Sequence, residues 1–254
     1  MLDIGQFITD TNSAENSDEA FACLEKYLGK LGFDRVVYSL LTDHPHLNKN
    51  REHGIVRNYP EDWMNYYFSK GYVDVDPTIK IMKQKQGAFA WTSLPEIKSI
   101  SKQEKLLMNE AKDAKLLEGI GLALHGPNGQ IVGMGVASSA GGTELHRDTV
   151  SVVYLLCTQF NQIYQTLERE KSAAQKIIDL SEREKEILTW MAVGKSKSVV
   201  GDILNISEHT VKTYLQRAFT KLDVYTKQEA IVHAIRMGLI NPSLSAVKPD
   251  DVTH

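Results

Sequence analysis

Five residues in the first hundred could surround a small polar guest: Tyr59, Trp63, Tyr67, Asp76 and Trp91. Trp63 and Tyr67 stand four apart in PEDWMNYYFSKG, where Pro60 and the acidic Glu61 and Asp62 suit a helix start, so the two rings share a face. Asp76 precedes Pro77 and is pushed out of the α region into an extended segment. Trp91 follows another apolar patch. Each alone has a plain reading, the aromatics as core and Asp-Pro as a turn. Hydrolytic chemistry lacks a comparable set. There is no G-x-S-x-G elbow, and Ser138 and Ser139 sit at a strand end without a histidine pattern beside them. His44, His46 and His53 share a polar loop, without the i, i+4 spacing and nearby acid of a hydrolytic zinc site, and are expected to be solvated. No enzyme activity, metal or cofactor is expected.

A second set lies in SEREKEILTWMAVGKSKSVVGDILNISEHTVKTYLQRAFTKL, residues 181–222. Ile187, Leu188 and Met191 face inward from a first helix that Gly194 stops. Ser196 can cap a second helix and Ser207 a third, with Asn205-Ile206 as the tight turn between them. Two short helices so joined describe a helix-turn-helix. The third helix puts Val211, Leu215, Ala218 and Leu222 on one face, which leaves His209, Lys212, Thr213, Gln216, Arg217 and Thr220 to solvent. Residues 195–227 hold six Lys/Arg against three Asp/Glu, a basic stretch in a chain of net charge −3. Cations there suit phosphates, while Lys212 and Gln216 could reach base edges. Lys195, Lys212, Thr213, Gln216, Arg217 and Lys221 are the DNA-binding candidates.

The elements that must position these residues can be read in outline. With 254 residues, 42% apolar and 24% charged, the chain has an ordinary soluble composition and room for one large domain or two unequal ones. No apolar stretch approaches the ~18 residues that span a bilayer. The acidic start lacks a basic region before an apolar core, so it is not expected to act as a secretory leader. Cys23 and Cys157 alone point to a reducing, cytoplasmic setting and cannot make a four-cysteine zinc site. Ala20, Phe21, Leu24, Tyr27 and Leu28 recur at helical spacing. Residues 33–41 read as a strand, 42–52 as a loop and 54–56 as a weak strand. A helix over 102–117 follows, then two apolar runs around Asn128-Gly129, the strongest short hairpin signal. A long helix over 144–168 carries Val153, Leu156, Phe160, Ile163 and Leu167 as one stripe. The expected architecture is α+β: an N-terminal α/β/α sandwich around an antiparallel sheet, followed by a small all-α four-helix helix-turn-helix domain. The boundaries are 1–170, a linker at 171–177, the helical domain at 178–241 and a disordered tail at 242–254.

EREKEILTWMAVGKS, ILNISEHTVKTYLQRAFTKL and AIRMGLI together resemble the DNA-binding domain of LuxR-type transcription regulators, with Glu184, Leu188 and Gly194 at the family's most typical positions. Val199 and Gly201 stand where the family usually has Glu and Ala, and Thr213-Tyr214 replaces the common Phe-His. A glycine within the second helix costs up to ~1 kcal/mol against alanine, so a less stable domain is expected.

The first constellation, with Asn58 to Trp63, Tyr67, Asp76-Pro77 and Trp91, resembles the autoinducer-binding domain of acyl-homoserine-lactone receptors. The resemblance implies an N-acyl-homoserine lactone as ligand. Trp63 would donate its indole N–H to the lactone carbonyl, Asp76 would accept the amide N–H, and Tyr59 would donate to the acyl carbonyl. Tyr67 and Trp91 would pack against the head group. A buried Asp76 would otherwise strand its charge. Gly119 matches a family glycine, whereas Gly135 falls where relatives commonly carry Ser or Thr, and Met64 where one relative has a polar residue.

One helix-turn-helix covers one half-site, so a homodimer on a palindromic operator is expected, with the stripe Val153, Leu156, Phe160, Ile163 and Leu167 as its candidate seam. The resemblance leaves RNA polymerase as a further partner and a membrane as none. The rival reading is a regulator homologue that pairs with another regulator and blocks it without reading DNA.

Overall fold

Asp3 and Asn16 each accept a backbone N–H three residues on, and so start α1 (Ile4–Asn12) and α2 (Ser17–Gly29). The chain continues through β1 (Arg35–Leu40), β2 (Glu52–Arg57), α3 (Glu61–Ser69), α4 (Pro77–Gln84), β3 (Gly87–Ala90), the short α5 (Leu94–Ile97), α6 (Lys102–Asp113), β4 (Glu118–His125), β5 (Ile131–Ser138) and α7 (Arg147–Ser172). The computed structural model describes residues 2–47, 49–143, 145–172 and 178–242. It divides into two compact units, Met1–Ala174 and Gln175–His254. The core of the expected linker, 173–177, and nearly all of the expected tail lie outside the described residues. Among the described residues no helix is long and apolar enough to cross a membrane.

The five strands form one sheet in the order β2-β1-β5-β4-β3, every neighbouring pair antiparallel. Its central hairpin has two unlike faces, because side chains alternate along a strand. Ile120, Leu122 and Leu124 of β4 and Val132, Met134 and Val136 of β5 pack against α2 and α7 in the main core. The opposite face carries Gly119, Gly121, Ala123, Gly133, Gly135 and Ala137, with Gly121 paired to Gly135 and Ala123 to Gly133. Side chains of α3, α4 and α6 cover that face. The result is the expected α/β/α sandwich.

Two expectations are corrected here. The α7 stripe is no intermolecular seam: Val153, Leu156 and Phe160 are fully buried in their own domain's core, and Ile163 and Leu167 pack half-buried against it. An amphipathic stripe shows that a face is covered, and here the sheet and α2 cover it. Nor are the three histidines solvated. His44 is buried, His46 is half-buried with Nε2 3.4 Å from Gln165 Oε1, and His53 lies in the sheet on β2.

Among its described residues the C-terminal unit has four helices, α8 (Glu182–Ala192), α9 (Lys197–Leu204), α10 (Glu208–Leu222) and α11 (Lys227–Arg236), around Ile187, Leu188, Val200, Val211, Leu215 and Ala218. Ser181 and Thr226 form capping boxes, and Ser196 and Ser207 cap α9 and α10. Gly201 is more than a weak point in α9. A Cβ built there would lie 2.7 Å from the Ile206 carbonyl oxygen. The turn between α9 and α10 thus rests directly on the helix backbone, and this approach offsets the glycine's propensity cost.

Candidate functional site

The small-residue face of the sheet leaves room for rings, and rings occupy it. Built Cβ atoms would collide with the Trp91 indole at Gly119 (2.3 Å), the Phe89 ring at Gly121 (2.7 Å), Leu41 at Gly133 (2.7 Å) and the Tyr59 hydroxyl at Gly135 (2.8 Å). Gly135 is therefore the space into which Tyr59 reaches, and a Ser or Thr there would contest it. Between these side chains and α3, α4 and α6 lies a small cavity of about 50 Å³. All five residues singled out from the sequence line it: Tyr59, Trp63, Tyr67, Asp76 and Trp91. Ser39, Thr78 and Leu107, which the sequence does not single out, line it too, as does His53, which the structure places on β2 and not in a loop.

Asp76 is only 8% exposed, yet its carboxylate is not stranded. It is the N-cap of α4, accepting from Thr78 N (2.7 Å) and Thr78 Oγ1 (2.6 Å) on Oδ1, and from the Tyr67 hydroxyl (2.9 Å) on Oδ2. Asp before Pro is an effective start signal, since the cap satisfies a free N–H and proline needs none. Tyr67 therefore does more than pack: it aims the carboxylate. Two polar atoms are left over. The Tyr59 hydroxyl and the Trp91 Nε1 are buried without a hydrogen-bond partner, a state proteins seldom leave unexplained. Burial, with the Asp76 charge adding to it, raises the Tyr59 and Tyr67 phenols well above their ordinary value, so both remain O–H donors at neutral pH. The pocket thus offers unused donors beside one charged acceptor, in an apolar lining.

On α10, Lys212, Thr213, Gln216 and Arg217 are exposed, as their spacing predicts. The Thr213 hydroxyl donates to the His209 carbonyl (3.1 Å), and the Arg217 guanidinium lies over the Tyr214 ring at 5.6 Å. Lys195, in the turn between α8 and α9, is half-buried. Lys221 departs from its expected role as a simple phosphate contact: its Nζ donates to the buried Glu184 Oε2 at 2.8 Å and ties α10 to α8. Burial acts to raise the Glu184 carboxyl, but hydrogen bonds from Lys221 and Ser181 outweigh it and hold the group below its usual range.

A pocket with polar anchors in one unit and a helix-turn-helix with an exposed face on its third helix in the other are the parts of a DNA-binding regulator with a small-molecule site. The family model for the autoinducer binding domain matches residues 16–162, and that for bacterial regulatory proteins of the luxR family matches 179–234. The chain is 32% identical to the quorum-sensing regulator RhlR of Pseudomonas aeruginosa, covering 89% of this chain and 91% of that one. It is 26% identical to the transcriptional activator LuxR of Aliivibrio fischeri, over 93% and 94% of the two chains. The fold matches Escherichia coli SdiA, solved in complex with octanoyl-rac-glycerol, at a TM-score of 0.74 and 24% identity, over 92% and 93% of the chains. The chain belongs to the LuxR family of quorum-sensing transcription regulators.

Proposed function

We propose that the N-terminal pocket binds an N-acyl-homoserine lactone and that the protein, acting in the cytoplasm as a homodimer, reads a palindromic operator through α10. The supporting observation is the polar inventory of the pocket: an aimed Asp76 acceptor, an unpartnered Tyr59 hydroxyl and an unpartnered Trp91 indole N–H in an apolar chamber. An amide N–H, carbonyl oxygens and an aliphatic tail match that inventory group for group. Asp76→Asn keeps an N-cap and hence the start of α4, but loses the charged acceptor, so lactone affinity falls by roughly 1.5–3 kcal/mol in a folded protein. Titration calorimetry with a lactone checks this, and unchanged affinity refutes the assignment.

On DNA, Gln216→Ala costs about 1–3 kcal/mol on the operator and little on random sequence, if Gln216 reads a base edge. Titrations on both DNAs at several salt concentrations decide it; equal losses on both mean that Gln216 touches only backbone.

With the α7 stripe buried, the dimer needs another face. Leu155, 54% exposed on α7, and Ile4 and Ile8 on the neighbouring α1 are exposed apolar side chains of the same unit. Leu155→Glu should yield a folded protein that sediments as a monomer, and a variant that remains dimeric excludes this face.

A further inference from the structure

Away from Asp76 the pocket wall is mostly hydrocarbon, with Val37, Leu41, Ile79 and Met82 among its lining. One polar pair interrupts it. Ser39 is buried on β1, and its Oγ lies 3.0 Å from His53 Nδ1 on β2. Both side chains line the cavity. The His53 ring stacks on Tyr67, with centroids 5.2 Å apart at 19°, one ring layer from the Asp76 carboxylate. A hydroxyl and an imidazole in the part of a pocket that takes an aliphatic tail cost free energy unless something there uses them.

Counting protons shows what they have to offer. Ser39 Oγ already accepts the Gly54 N–H at 2.9 Å. Burial pushes the His53 imidazole below its ordinary pKa, against the opposing charge of Asp76, so the ring is neutral with one N–H. If Ser39 donates to Nδ1, the ring proton is on Nε2, which has no partner among the described residues. If Nδ1 carries the proton and donates to Ser39, the serine hydroxyl proton is unused. Either way the pair keeps one spare donor. The register fixes its place: Val37, beside Tyr59, pairs with Gly135, and Ser39 pairs with Gly133, two residues along the same strand and about 6.8 Å away.

We propose that Ser39 and His53 recognise an oxygen carried on one of the first carbons of the acyl chain, so that the ligand class is an oxo- or hydroxy-substituted acyl-homoserine lactone in preference to a plain one. This rests on the lactone reading above. The spare donor meets the substituent's oxygen, while a bare methylene at that position leaves the donor unpaired.

The test is a calorimetric series on the full chain with octanoyl-, 3-oxooctanoyl- and 3-hydroxyoctanoyl-homoserine lactone. The wild type is expected to bind at least one oxygenated ligand about tenfold more tightly than the plain one, the order of one hydrogen bond. His53→Phe, which keeps the ring stack, and Ser39→Ala, which guards against a folding defect in the first variant, should each shrink that ratio to about one. Equal affinities in the wild type, or a ratio that survives both substitutions, overturn the proposal while the lactone assignment stands. No binding of any of the three by a folded protein overturns both.

Discussion

Phe160→Glu should leave the N-terminal domain unfolded rather than monomeric. Phe160 is fully buried on α7, with its ring against Phe21 (5.9 Å), Tyr38 (5.7 Å, edge-on) and Tyr164 (5.8 Å). Truncating such a phenylalanine costs about 3–5 kcal/mol, and a carboxylate in its place adds an unpaired buried charge. The sum rivals the whole stability of a typical domain, about 5–15 kcal/mol. Circular dichroism and gel filtration check it: a folded, monomeric Phe160→Glu protein would restore the α7 stripe as an interface.

The second large effect lies at Lys221. Removing one partner of a fully buried pair costs about 3–5 kcal/mol. Lys221 is itself half-exposed, so water screens part of that, and Lys221→Ala should destabilise the C-terminal domain by about 1–2 kcal/mol. Acid discriminates further. In the native protein the Glu184 carboxyl titrates below its ordinary value of 4.5, so its contribution is complete above that pH and is lost as pH falls toward the folded value. Without Lys221 only the Ser181 hydrogen bonds oppose the burial penalty on the charged form, so protonation costs the variant less than it costs the native protein. The gap between the two proteins should therefore be widest at neutral pH and narrow below about pH 4.5. Hydrogen exchange of α8 and α10 amides at pH 7 and pH 4 measures it, and a gap that stays constant removes Glu184 from the account. Loss of salt-dependent DNA affinity without loss of stability would return Lys221 to the phosphate role.

The helix-turn-helix is legible from residues alone, because caps at Ser196 and Ser207 and the 3.6-residue spacing of Val211, Leu215, Ala218 and Leu222 are local signals. The five pocket residues were legible through resemblance and came together as implied. Other features depend on what lies opposite a residue. The α7 stripe announced burial without naming the cover. Ser39 and His53, fourteen positions apart, meet only through the pairing of β1 with β2, which includes a register shift between Tyr38 and Leu40. Of the three N-terminal helices that the sequence reading omits, α1, α4 and α5, two carry local start signals: Asp3 before α1, and Asp76 capping α4 ahead of Pro77. The alternation in GIGLALH and IVGMGVAS was read as a hairpin, but its small-large rhythm also states that one face is nearly bare.

That bare face makes the β4–β5 hairpin two surfaces with separate fates. Ile120, Leu122, Val132, Met134 and Val136 bind the sheet to its helices, and a change in any of them is felt as stability. Gly121 and Gly133 sit back to back with them, facing the tips of Phe89, Met82 and Leu41. A methyl group added there pushes flexible side-chain ends into the chamber and shortens it, while the helices on the far side keep their packing. Descent with single-base changes can thus retune the size of the chamber, one methyl at a time, without first passing through a protein that fails to fold.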